Sequence, residues 1–392
     1  MTTTINNEHK KLNVPNLRFP EFQGEWEKYE LGDICDIITD FVAAGSFASL
    51  RENVKYYQEN NYAQLIRTID LKNNFTNSDF VYVDEVAYDF LWRVQLKEPN
   101  IVLPNIGANI GEKYYVKPQD LPKNKNVLGP NAILLRSKCN DTHFVYFRLS
   151  TSSYENEMKK LVGASGQPKF NKTDLKKVSL FMPSLIEQKR IAYFLALLEE
   201  RIATQNKIID KLQSLIKGIA QKIVRSNKPN VRLYECVECS SSTQQESEVC
   251  EQGAYPVYGA NGIVGYLDDY NTEGEAVYII KDGSGVGTVS YVTGKCSATG
   301  TLNTLQAKDG YSLQYLYYLL KVFNFEPYKT GMAIPHIYFK DYGKAKVFCP
   351  SYTEQLQYAR LLSAIDSKLS VEKNTLRNLS LQKQYLLRQM FI

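Results

Sequence analysis

Two stretches of sequence decide how this 392-residue chain is organised: Pro168-Lys-Phe-Asn-Lys-Thr-Asp-Leu-Lys-Lys-Val-Ser-Leu-Phe-Met-Pro-Ser-Leu-Ile-Glu-Gln188 and Pro335-His-Ile-Tyr-Phe-Lys-Asp-Tyr-Gly-Lys-Ala-Lys-Val-Phe-Cys-Pro-Ser-Tyr-Thr-Glu-Gln355. They align without a gap at an offset of 167 residues. The identical pairs are Pro168/Pro335, Asp174/Asp341, Lys177/Lys344, Phe181/Phe348, Pro183/Pro350, Ser184/Ser351, Glu187/Glu354 and Gln188/Gln355. Self-similarity at a fixed offset is typical of an internal repeat, so the chain is a tandem duplication.

A long amphipathic helix is predicted after each copy of this stretch. The apolar positions step alternately by four and three residues, which is the period of a coiled coil rather than of an ordinary core helix. The first seam runs through Leu195, Leu198, Ile202, Gln205, Ile209, Leu212, Ile216, Ile219 and Ile223, and the offset of 167 carries it onto a weaker seam from Tyr358 to Met390. Ser184 with Glu187, and Ser351 with Glu354, predict a capping box at each helix start.

One polar residue, Gln205, interrupts the first seam near its midpoint, and its repeat partner Glu372 lies near the middle of the second seam. If the two helices pair antiparallel, these residues meet. A buried polar pair can fix the register of a coiled coil at some cost in stability. We therefore predict an antiparallel coiled coil whose register is set by a Gln205–Glu372 layer.

Each long helix is preceded by a domain, called a head below, whose sequence predicts an α/β structure. Each head contains a strand, a glycine turn and a second strand. These segments are Ile101–Val116 and Val277–Val292, where Gly107 and Gly111 match Gly283 and Gly287 at an offset of 176. We expect an α+β protein in which two tandem α/β domains alternate with two long antiparallel helices, arranged with pseudo-twofold symmetry. The predicted bounds are 1–16 for an N-terminal tail, 17–185 and 228–350 for the two heads, and 186–227 and 351–392 for the two helices.

The formal net charge of +5 is unevenly distributed along the sequence. Residues 186–229 carry nine Lys and Arg against four Asp and Glu, whereas residues 230–350 carry nine against thirteen. A protein that holds DNA alone through phosphate contacts is usually more basic than these heads. If the chain binds DNA, we expect a partner to supply many of the phosphate contacts.

Composition predicts a cytoplasmic protein with free thiols. The longest apolar run, Ile191–Leu198, is far shorter than the roughly 18 residues that span a bilayer, and the first residues contain no apolar signal segment. The seven cysteines are an odd number, which favours free thiols over disulfides. Cys236 and Cys239 form a CxxC pair, but no second pair or nearby histidine completes a zinc site. We therefore expect no metal.

No catalytic motif stands out from the sequence. Gly283-Ser-Gly-Val-Gly287 resembles a dinucleotide-binding turn, but that motif must open a helix and the residues that follow here predict a strand. A phosphate-binding GxxxxGK[ST] loop and the Asn/Asp-Pro-Pro-aromatic motif of adenine methyltransferases are both missing. Glu157-Met-Lys159 lacks the Pro-Asp partner of a nuclease signature and is better explained as a solvated helix face. We expect no catalytic residue.

Four short motifs resemble those of a known family. They are Leu17-Arg-Phe-Pro-Glu-Phe-Gln-Gly-Glu-Trp26, Leu31-Gly-Asp-Ile34, Tyr255-Pro-Val-Tyr-Gly-Ala-Asn-Gly-Ile-Val-Gly-Tyr266 and Ile334-Pro-His-Ile-Tyr-Phe-Lys-Asp341. Together with the Pro-Ser-x-x-Glu-Gln junctions, they make residues 17–392 resemble the specificity subunit of type I restriction–modification enzymes. The start of the second head, Asn230–Glu238, departs from the pattern because it lacks the Trp and the Leu-Gly-Asp of the first.

The resemblance implies a subunit without chemistry of its own. It would read a bipartite, asymmetric sequence in double-stranded DNA, with one half-site per target-recognition domain. It would also recruit two modification subunits, which use S-adenosylmethionine to methylate adenine, and restriction subunits that translocate and cleave DNA with ATP and Mg. A non-enzymatic scaffold that binds proteins and a stand-alone, two-headed DNA-binding regulator are the alternatives.

Base reading requires side chains that donate and accept hydrogen bonds in a groove. Turn and junction residues of this kind are our predicted DNA contacts, although each of them alone fits a solvated loop equally well. In the first head they are Arg67, Asn105, Asn109, Lys113, Lys169, Asn171 and Lys172. In the second head they are Tyr258, Asn261, Lys281, Ser284, Asn303, His336, Tyr338 and Lys340.

Overall fold

The computed structural model describes residues 13–76, 79–107, 109–162, 169–331 and 334–392. Residues 1–12 of the predicted tail and Pro168 of the duplicated stretch lie outside the described residues. The chain divides into two compact units. One contains the chain up to Ile202 together with Asn378–Ile392, and the other contains Ala203–Arg377. Each unit therefore combines one head with part of both long helices.

The first head consists of short strands and short helices. Its strands are β1 (Glu27–Glu30), β2 (Ile37–Asp40), β3 (Ala63–Ile66), β4 (Val81–Val83), β5 (Asn100–Pro104), β6 (Tyr114–Val116), β7 (Asn126–Leu128), β8 (Ala132–Arg136) and β9 (Ser179–Met182). Its helices are α1 (Leu31–Ile34), α2 (Phe47–Asn53), α3 (Thr68–Lys72), α4 (Glu85–Phe90), α5 (Thr142–Leu149), α6 (Ser152–Leu161) and α7 (Lys172–Lys176), with 3₁₀ turns at Phe41–Ala44, Trp92–Val94 and Pro118–Asp120.

Three sheets organise the first head. An antiparallel sheet has the strand order β2-β8-β5-β6, and a second sheet has the order β4-β3-β7, in which β3 and β7 run parallel. The ribbon β1-β9 joins the beginning of the head to its end. Because β1 and β9 pair, the head closes on itself before the first long helix begins.

The second half of the chain begins with the long helix α8 (Leu185–Arg225) and ends with the long helix α12 (Tyr352–Gln389). Between them, the strands are β10 (Val231–Arg232), β11 (Val237–Ser241), β12 (Tyr255–Gly259), β13 (Gly262–Leu267), β14 (Glu275–Ile280), β15 (Val289–Thr293), β16 (Ser297–Ala298), β17 (Leu302–Ala307) and β18 (Lys346–Val347). The short helices are α9 (Leu233–Cys236), α10 (Leu313–Leu320) and α11 (Phe339–Tyr342), with 3₁₀ turns at Glu246–Glu248 and Glu326–Tyr328.

The sheets of the second head have the same topology as those of the first. The antiparallel sheet has the order β11-β17-β14-β15, the second sheet has the order β13-β12-β16 with β12 and β16 parallel, and β10 pairs with β18. The strand β15 follows the glycine turn, as the sequence predicts, so this turn does not open a helix as a dinucleotide site requires. The duplication therefore extends through the heads.

The inner strand β5 of the larger sheet in the first head is buried on both faces. In β5, all five residues are buried. Ile101 and Leu103 contribute to the core that contains Phe144 of α5, whereas Val102 contributes to the core under the three-stranded sheet, beside Leu65. Successive strand residues point to opposite faces, so a near-continuous apolar run is what a sheet covered on both sides requires.

The two long helices pair antiparallel in both units. In the first unit, Leu195 near the start of α8 shares a core with Leu386 near the end of α12. In the second unit, Ile223 near the end of α8 shares a core with Leu362 near the start of α12. The predicted antiparallel pairing is therefore confirmed. Within the described residues, no helix combines the length and apolar character needed to cross a membrane.

Of the two predicted capping boxes, the one at the start of α12 forms completely and the one at the start of α8 forms only in part. At α12 the box is complete, because Ser351 Oγ accepts from the Glu354 N–H at 3.4 Å and the Glu354 carboxylate accepts from the Ser351 N–H at 3.1 Å. At α8, Ser184 caps the Glu187 N–H at 3.4 Å, but the Glu187 carboxylate turns to the Arg18 guanidinium at 2.7 Å. The prediction that the Glu187 carboxylate bonds back to the Ser184 N–H is therefore wrong, because this carboxylate forms a buried ion pair with Arg18 instead.

The duplicated glutamines tie each long helix to its head. Gln188 Oε1 accepts from the Asp141 N–H at 3.0 Å, and Gln355 Oε1 accepts from the Ser312 N–H at 2.9 Å. Asp141 and Ser312 are the residues that cap α5 and α10. Each glutamine thus bonds to the start of the equivalent helix in its own head, which gives a structural reason for its identity in both copies.

Candidate nucleic-acid interface

The turn between β5 and β6 holds the first group of predicted DNA contacts. Gly107 and Gly111 have φ angles of +92° and +90°, a left-handed conformation that glycine adopts without strain. Asn105 anchors the start of the turn, because its N–H donates to the Asn131 carbonyl and its carbonyl accepts from the Phe170 N–H, both at 3.2 Å. The Asn105 side-chain amide also donates to the Phe170 carbonyl at 3.3 Å. The turn is thereby fixed against the segment that precedes α7.

That segment carries three more predicted contacts. Lys169 is exposed and forms an isolated bridge with Ile106 of the glycine turn. Asn171 caps α7 with its side-chain oxygen. Lys172 Nζ forms an ion pair with Asp40 at 2.8 Å. Lys169 is thus the most available of the three for a ligand, since the other two are engaged within the head.

The second head brings the corresponding two segments together. The Lys281 N–H donates to the Thr301 carbonyl at 2.9 Å, and the Lys281 carbonyl accepts from the Ile337 N–H at 2.9 Å. The Gly283 N–H donates to the Pro335 carbonyl at 3.0 Å. The glycine turn of this head therefore also lies beside the segment that leads into its long helix.

These contacts fall on equivalent residues of the repeat. Asn105 and Lys281 are related by the offset of 176, and Phe170 and Ile337 by the offset of 167. In both heads the same carbonyl accepts from the same N–H. The sequence predicted each segment as a candidate, but the pairing of the two segments appears only in the structure. The chain therefore builds one kind of surface twice, with different side chains.

His336, Tyr338 and Lys340 border this surface in the second head. His336 Nδ1 lies 2.6 Å from the Asp282 carboxylate, and its main chain pairs with Thr330. Tyr338 is exposed, and Lys340 Nζ lies 5.2 Å from the centre of its ring. Tyr338 and Lys340 therefore offer an aromatic face and a cation to solvent, whereas His336 is held by the glycine turn.

The remaining turn residues of the second head differ in availability. Asn261 and Ser284 are exposed. Asn261 lies in the turn between β12 and β13, beside Gly262 with its φ angle of +101°. Tyr258 is half-buried and its ring packs 5.7 Å from that of Tyr278, and burial raises its pKa. Tyr258 therefore supports the turn more than it faces solvent.

Asn303 does not belong to the surface. Its side chain lies in β17, only 3% exposed. Its amide nitrogen donates to the Tyr342 hydroxyl at 2.9 Å, and its amide oxygen accepts from the Ser241 hydroxyl at 3.0 Å. The central position of β17 in its sheet buries this side chain, so we remove Asn303 from the candidate set.

Arg67 is held in place at the start of α3. Its guanidinium donates to both oxygens of the buried Asp70 carboxylate, at 2.7 and 3.1 Å, and also to the main chain of Asp79 at 2.9 Å. The hydrogen bond to Asp70 raises the pKa of Arg67. The side chain retains partial exposure, but most of its donors are already used inside the head.

Lys72 is a neighbour of the glycine turn that the sequence did not single out. Its Nζ donates to the Asn109 amide oxygen and to Glu112, both at 2.8 Å. Lys113 on the other side of the turn is paired with Glu155 at 3.1 Å. These contacts join residues far apart in sequence, so no local pattern could have indicated them. They fix Asn109 and Lys113 within the head.

Gln205 and Glu372, the predicted register residues, are hydrogen bonded to each other within the second unit.

Cys236 of the CxxC pair lies near Cys349, with 3.8 Å between the two sulfur atoms. Among the residues that the structure describes, no group of three or more His, Cys, Asp or Glu side chains is placed to hold a metal ion.

A family model described as the type I restriction modification DNA specificity domain matches the chain twice, over residues 23–214 and 230–380. The chain belongs to this family. The two matches follow the duplication, one for each head with its helix. The resemblance to type I restriction–modification specificity subunits that the sequence motifs indicated is thereby confirmed.

Individual relatives from this family are distant. A putative type I restriction enzyme MjaX specificity subunit from Methanocaldococcus jannaschii is 26% identical over 292 residues, which are 72% of this chain and 64% of the relative. The EcoprrI specificity subunit of Escherichia coli is 27% identical over 117 residues, covering 30% of this chain and 29% of the relative. The matches thus span less than two thirds of either relative.

Solved structures share the fold. The crystal structure of a type I restriction–modification system S subunit from M. genitalium matches with a TM-score of 0.66, covering 97% of this chain and 99% of that one at 17% identity. A second structure, described as concerning complex assembly and conformational transition of the type I R-M system, has a TM-score of 0.51 at 14% identity. At these identities the likeness concerns the fold.

Proposed function

We propose that the chain is the DNA-reading subunit of a type I restriction–modification system, with each head reading one half of a bipartite, asymmetric target. The observation that carries the proposal is the surface built twice from equivalent main-chain contacts and different side chains. Where the first head has Asn105 and Lys169, the second has Lys281 and His336. Two versions of one surface suit two different half-sites.

The proposed base contacts are the side chains that the heads leave available. They are Lys169 in the first head and Asn261, Ser284, Tyr338 and Lys340 in the second, which are all exposed. Amide, hydroxyl and ammonium groups supply the donors and acceptors that the major groove distinguishes. Arg67, Asn109 and Lys113 have partners within the head, so we propose that they shape the surface.

Partner subunits complete the proposed function. The second head carries more acidic than basic residues, which is unfavourable for holding DNA by phosphate contacts alone. We propose that two modification subunits, with S-adenosylmethionine, supply the missing contacts and methylate adenine. Restriction subunits with ATP and Mg would then act on the same assembly. This chain would contribute no catalytic group and would work in the cytoplasm.

The outer faces of the long helices are the proposed docking sites for the modification subunits. Ile186, Tyr193 and Leu197 of α8 are exposed in the first unit, and Leu361 and Val371 of α12 are exposed in the second. Large apolar side chains in clusters on a soluble protein mark interaction surfaces. Ile186, Tyr193 and Leu197 are spaced by seven and four residues, which places them on one face of α8 and suits a partner helix packed alongside.

The proposal is tested by methylation in cells that lack endogenous adenine methylation. Three strains are compared: one expresses the modification subunits together with this chain, one expresses the modification subunits without it, and one expresses this chain alone. Methylated positions are then sequenced genome-wide. We expect one bipartite motif to be methylated only when both components are present. Methylation by the chain alone would refute the division of labour, and occupancy of DNA without any effect on methylation would favour the stand-alone regulator.

A further inference from the structure

A basic groove crosses the first head beside its predicted DNA surface. The groove has a volume of about 670 Å³ and lies between β2, the 3₁₀ turn Trp92–Val94 and α7. Its basic residues are Arg93, Lys97, Arg136, Lys172 and Lys176, and its acidic residues are Asp36 and Glu98. The lining therefore carries an excess of positive charge in a head whose overall charge is close to neutral.

Part of this charge is neutralised within the protein and part is not. Arg136 pairs with Glu98 at 3.1 Å, and Lys172 pairs with Asp40 at 2.8 Å. The other three cations, Arg93, Lys97 and Lys176, are exposed, and none forms an ion pair with a carboxylate in the described part of the chain. Three exposed cations along one groove favour a polyanion.

Trp92 lies on the edge of this groove and is 63% exposed. The Arg93 guanidinium lies 4.9 Å from the centre of its indole ring. An exposed tryptophan gains little from folding, whereas an indole beside a guanidinium is a good surface for stacking on a sugar or base. The pair therefore combines a flat apolar face with a positive charge.

The groove is continuous with the surface already described. Lys172 lines the groove and directly follows Asn171, the cap of α7, while Lys169 bridges to the glycine turn at Ile106. A duplex lying on the glycine turn would need only to continue past α7 to reach Arg93. The position of the groove beside the glycine turn and its positive charge therefore both favour DNA as its ligand.

The second head has no equivalent of this edge among its described residues. In the first head, residues 84–99 between β4 and β5 contain α4 and the 3₁₀ turn with Trp92. In the second head, residues 268–274 between β13 and β14 form a short connection without a helix. The groove is therefore an addition to one copy of a duplicated frame.

We propose that this groove binds the DNA backbone beside the half-site read by the first head, with Arg93, Lys97 and Lys176 on phosphates and Trp92 against the sugar edge. The inference rests on the proposed DNA-reading function. These contacts add affinity without selecting sequence, because phosphates carry no base information. The first head therefore has a longer footprint on DNA than the second.

Trp92 provides a direct test because Trp26, the second tryptophan, is only 2% exposed. The chain is labelled with 5-hydroxytryptophan, which can be excited apart from ordinary tryptophan, and assembled with unlabelled modification subunits. Quenching by acrylamide is measured with and without a duplex carrying the methylated motif. DNA is expected to lower the quenching constant to near that of the Trp92→Phe variant.

The second measurement is the salt dependence of DNA binding. The triple variant Arg93→Ala, Lys97→Ala, Lys176→Ala should reduce the slope of log Kd against log salt by about one for each phosphate that is no longer neutralised. Binding to target and non-target duplexes should weaken by equal factors. Lys28→Ala, at an exposed position on β1 outside the groove, is the matched control and should leave the slope unchanged.

The outcomes separate the inference from the function on which it rests. Protection of Trp92 with a reduced slope in the triple variant supports the groove. If the assembly binds its target normally, acrylamide quenches Trp92 as strongly with DNA as without it, and the triple variant keeps the wild-type salt slope, the proposal for the groove is overturned. The proposed function is then unaffected. Failure of the wild-type assembly to bind its methylated motif overturns both.

Discussion

Gln205 donates hydrogen bonds from its side-chain amide to two acceptors on Glu372, the main-chain carbonyl at 3.1 Å and the carboxylate. The two residues are repeat partners, 167 positions apart. Gln205 is buried, and Lys368 also reaches the Glu372 carboxylate at 2.5 Å. A polar layer in an apolar seam admits one alignment of the two helices, because any shift leaves its groups unpaired.

Leucine substitutions at Gln205 and Glu372 should show how the polar layer affects the melting temperature of the protein. Gln205→Leu alone is expected to lower the melting temperature, because the Glu372 carboxylate then faces an apolar side chain. The double variant Gln205→Leu, Glu372→Leu should recover or exceed the wild-type value, since an all-apolar layer packs without unpaired groups. Circular dichroism during heating measures both. A double variant less stable than the single one would contradict this account of the layer.

The same pair predicts a pH dependence. The hydrogen bond from Lys368, and then that from Gln205, lowers the pKa of Glu372 below its ordinary value of 4.5. A lowered carboxyl pKa stabilises the folded state above the unfolded value, and this contribution is lost as pH falls through the folded pKa. The difference in melting temperature between wild type and Glu372→Gln should therefore shrink below about pH 4.5. A difference that grows on acidification would contradict the assignment.

The buried glutamines at the head–helix junctions should be sensitive to removal of their amides. Gln188 is buried, and Gln188→Leu leaves the half-buried Asp141 N–H without its acceptor, which should cost about 1–3 kcal/mol in the free energy of unfolding. Gln355→Leu should act equally through Ser312. Urea unfolding measures both, and Gln213→Leu at an exposed position of α8 is the control. Equal stability of all three variants would show that these bonds contribute nothing.

The residues after α12 belong to the core of the first unit. Phe391 is 6% exposed, and its ring lies 5.4 Å from Phe144 and 6.2 Å from Trp26. Phe391→Ala should therefore cost about 3–5 kcal/mol in the free energy of unfolding. Leu381→Ala, at a position of α12 that is 52% exposed, should cost little. If urea unfolding shows the two variants to be equally stable, the end of the chain is not part of this core.

Periodic and repeated features of the fold could be predicted from the sequence. The antiparallel helices follow from a seam with a 3.5-residue period and from one polar residue at each midpoint, Gln205 and Glu372. The glycine turns follow from strands that run into Gly107 and Gly283. These features depend on local spacing, which a single sequence contains in full.

Contacts between distant residues could not be predicted in this way. The bonds between Asn105 and Phe170, and between Lys72 and Asn109, depend on which distant segments the fold brings beside the glycine turn. The burial of Asn303 could not be predicted for the same reason, since its strand lies inside a sheet where polar side chains find internal partners. The pairing of Arg67 with Asp70 had a local signal, an acidic residue three positions after a helix cap.

Exchange of one head tests the central claim most directly. Residues 17–180 are replaced by the first head of another family member, the chimaera is expressed with its modification subunits, and methylated adenines are sequenced genome-wide. The two-reader account predicts that one half of the methylated motif changes to the donor's half-site while the other half stays as it was. A motif in which both halves change, or in which neither does, would contradict it.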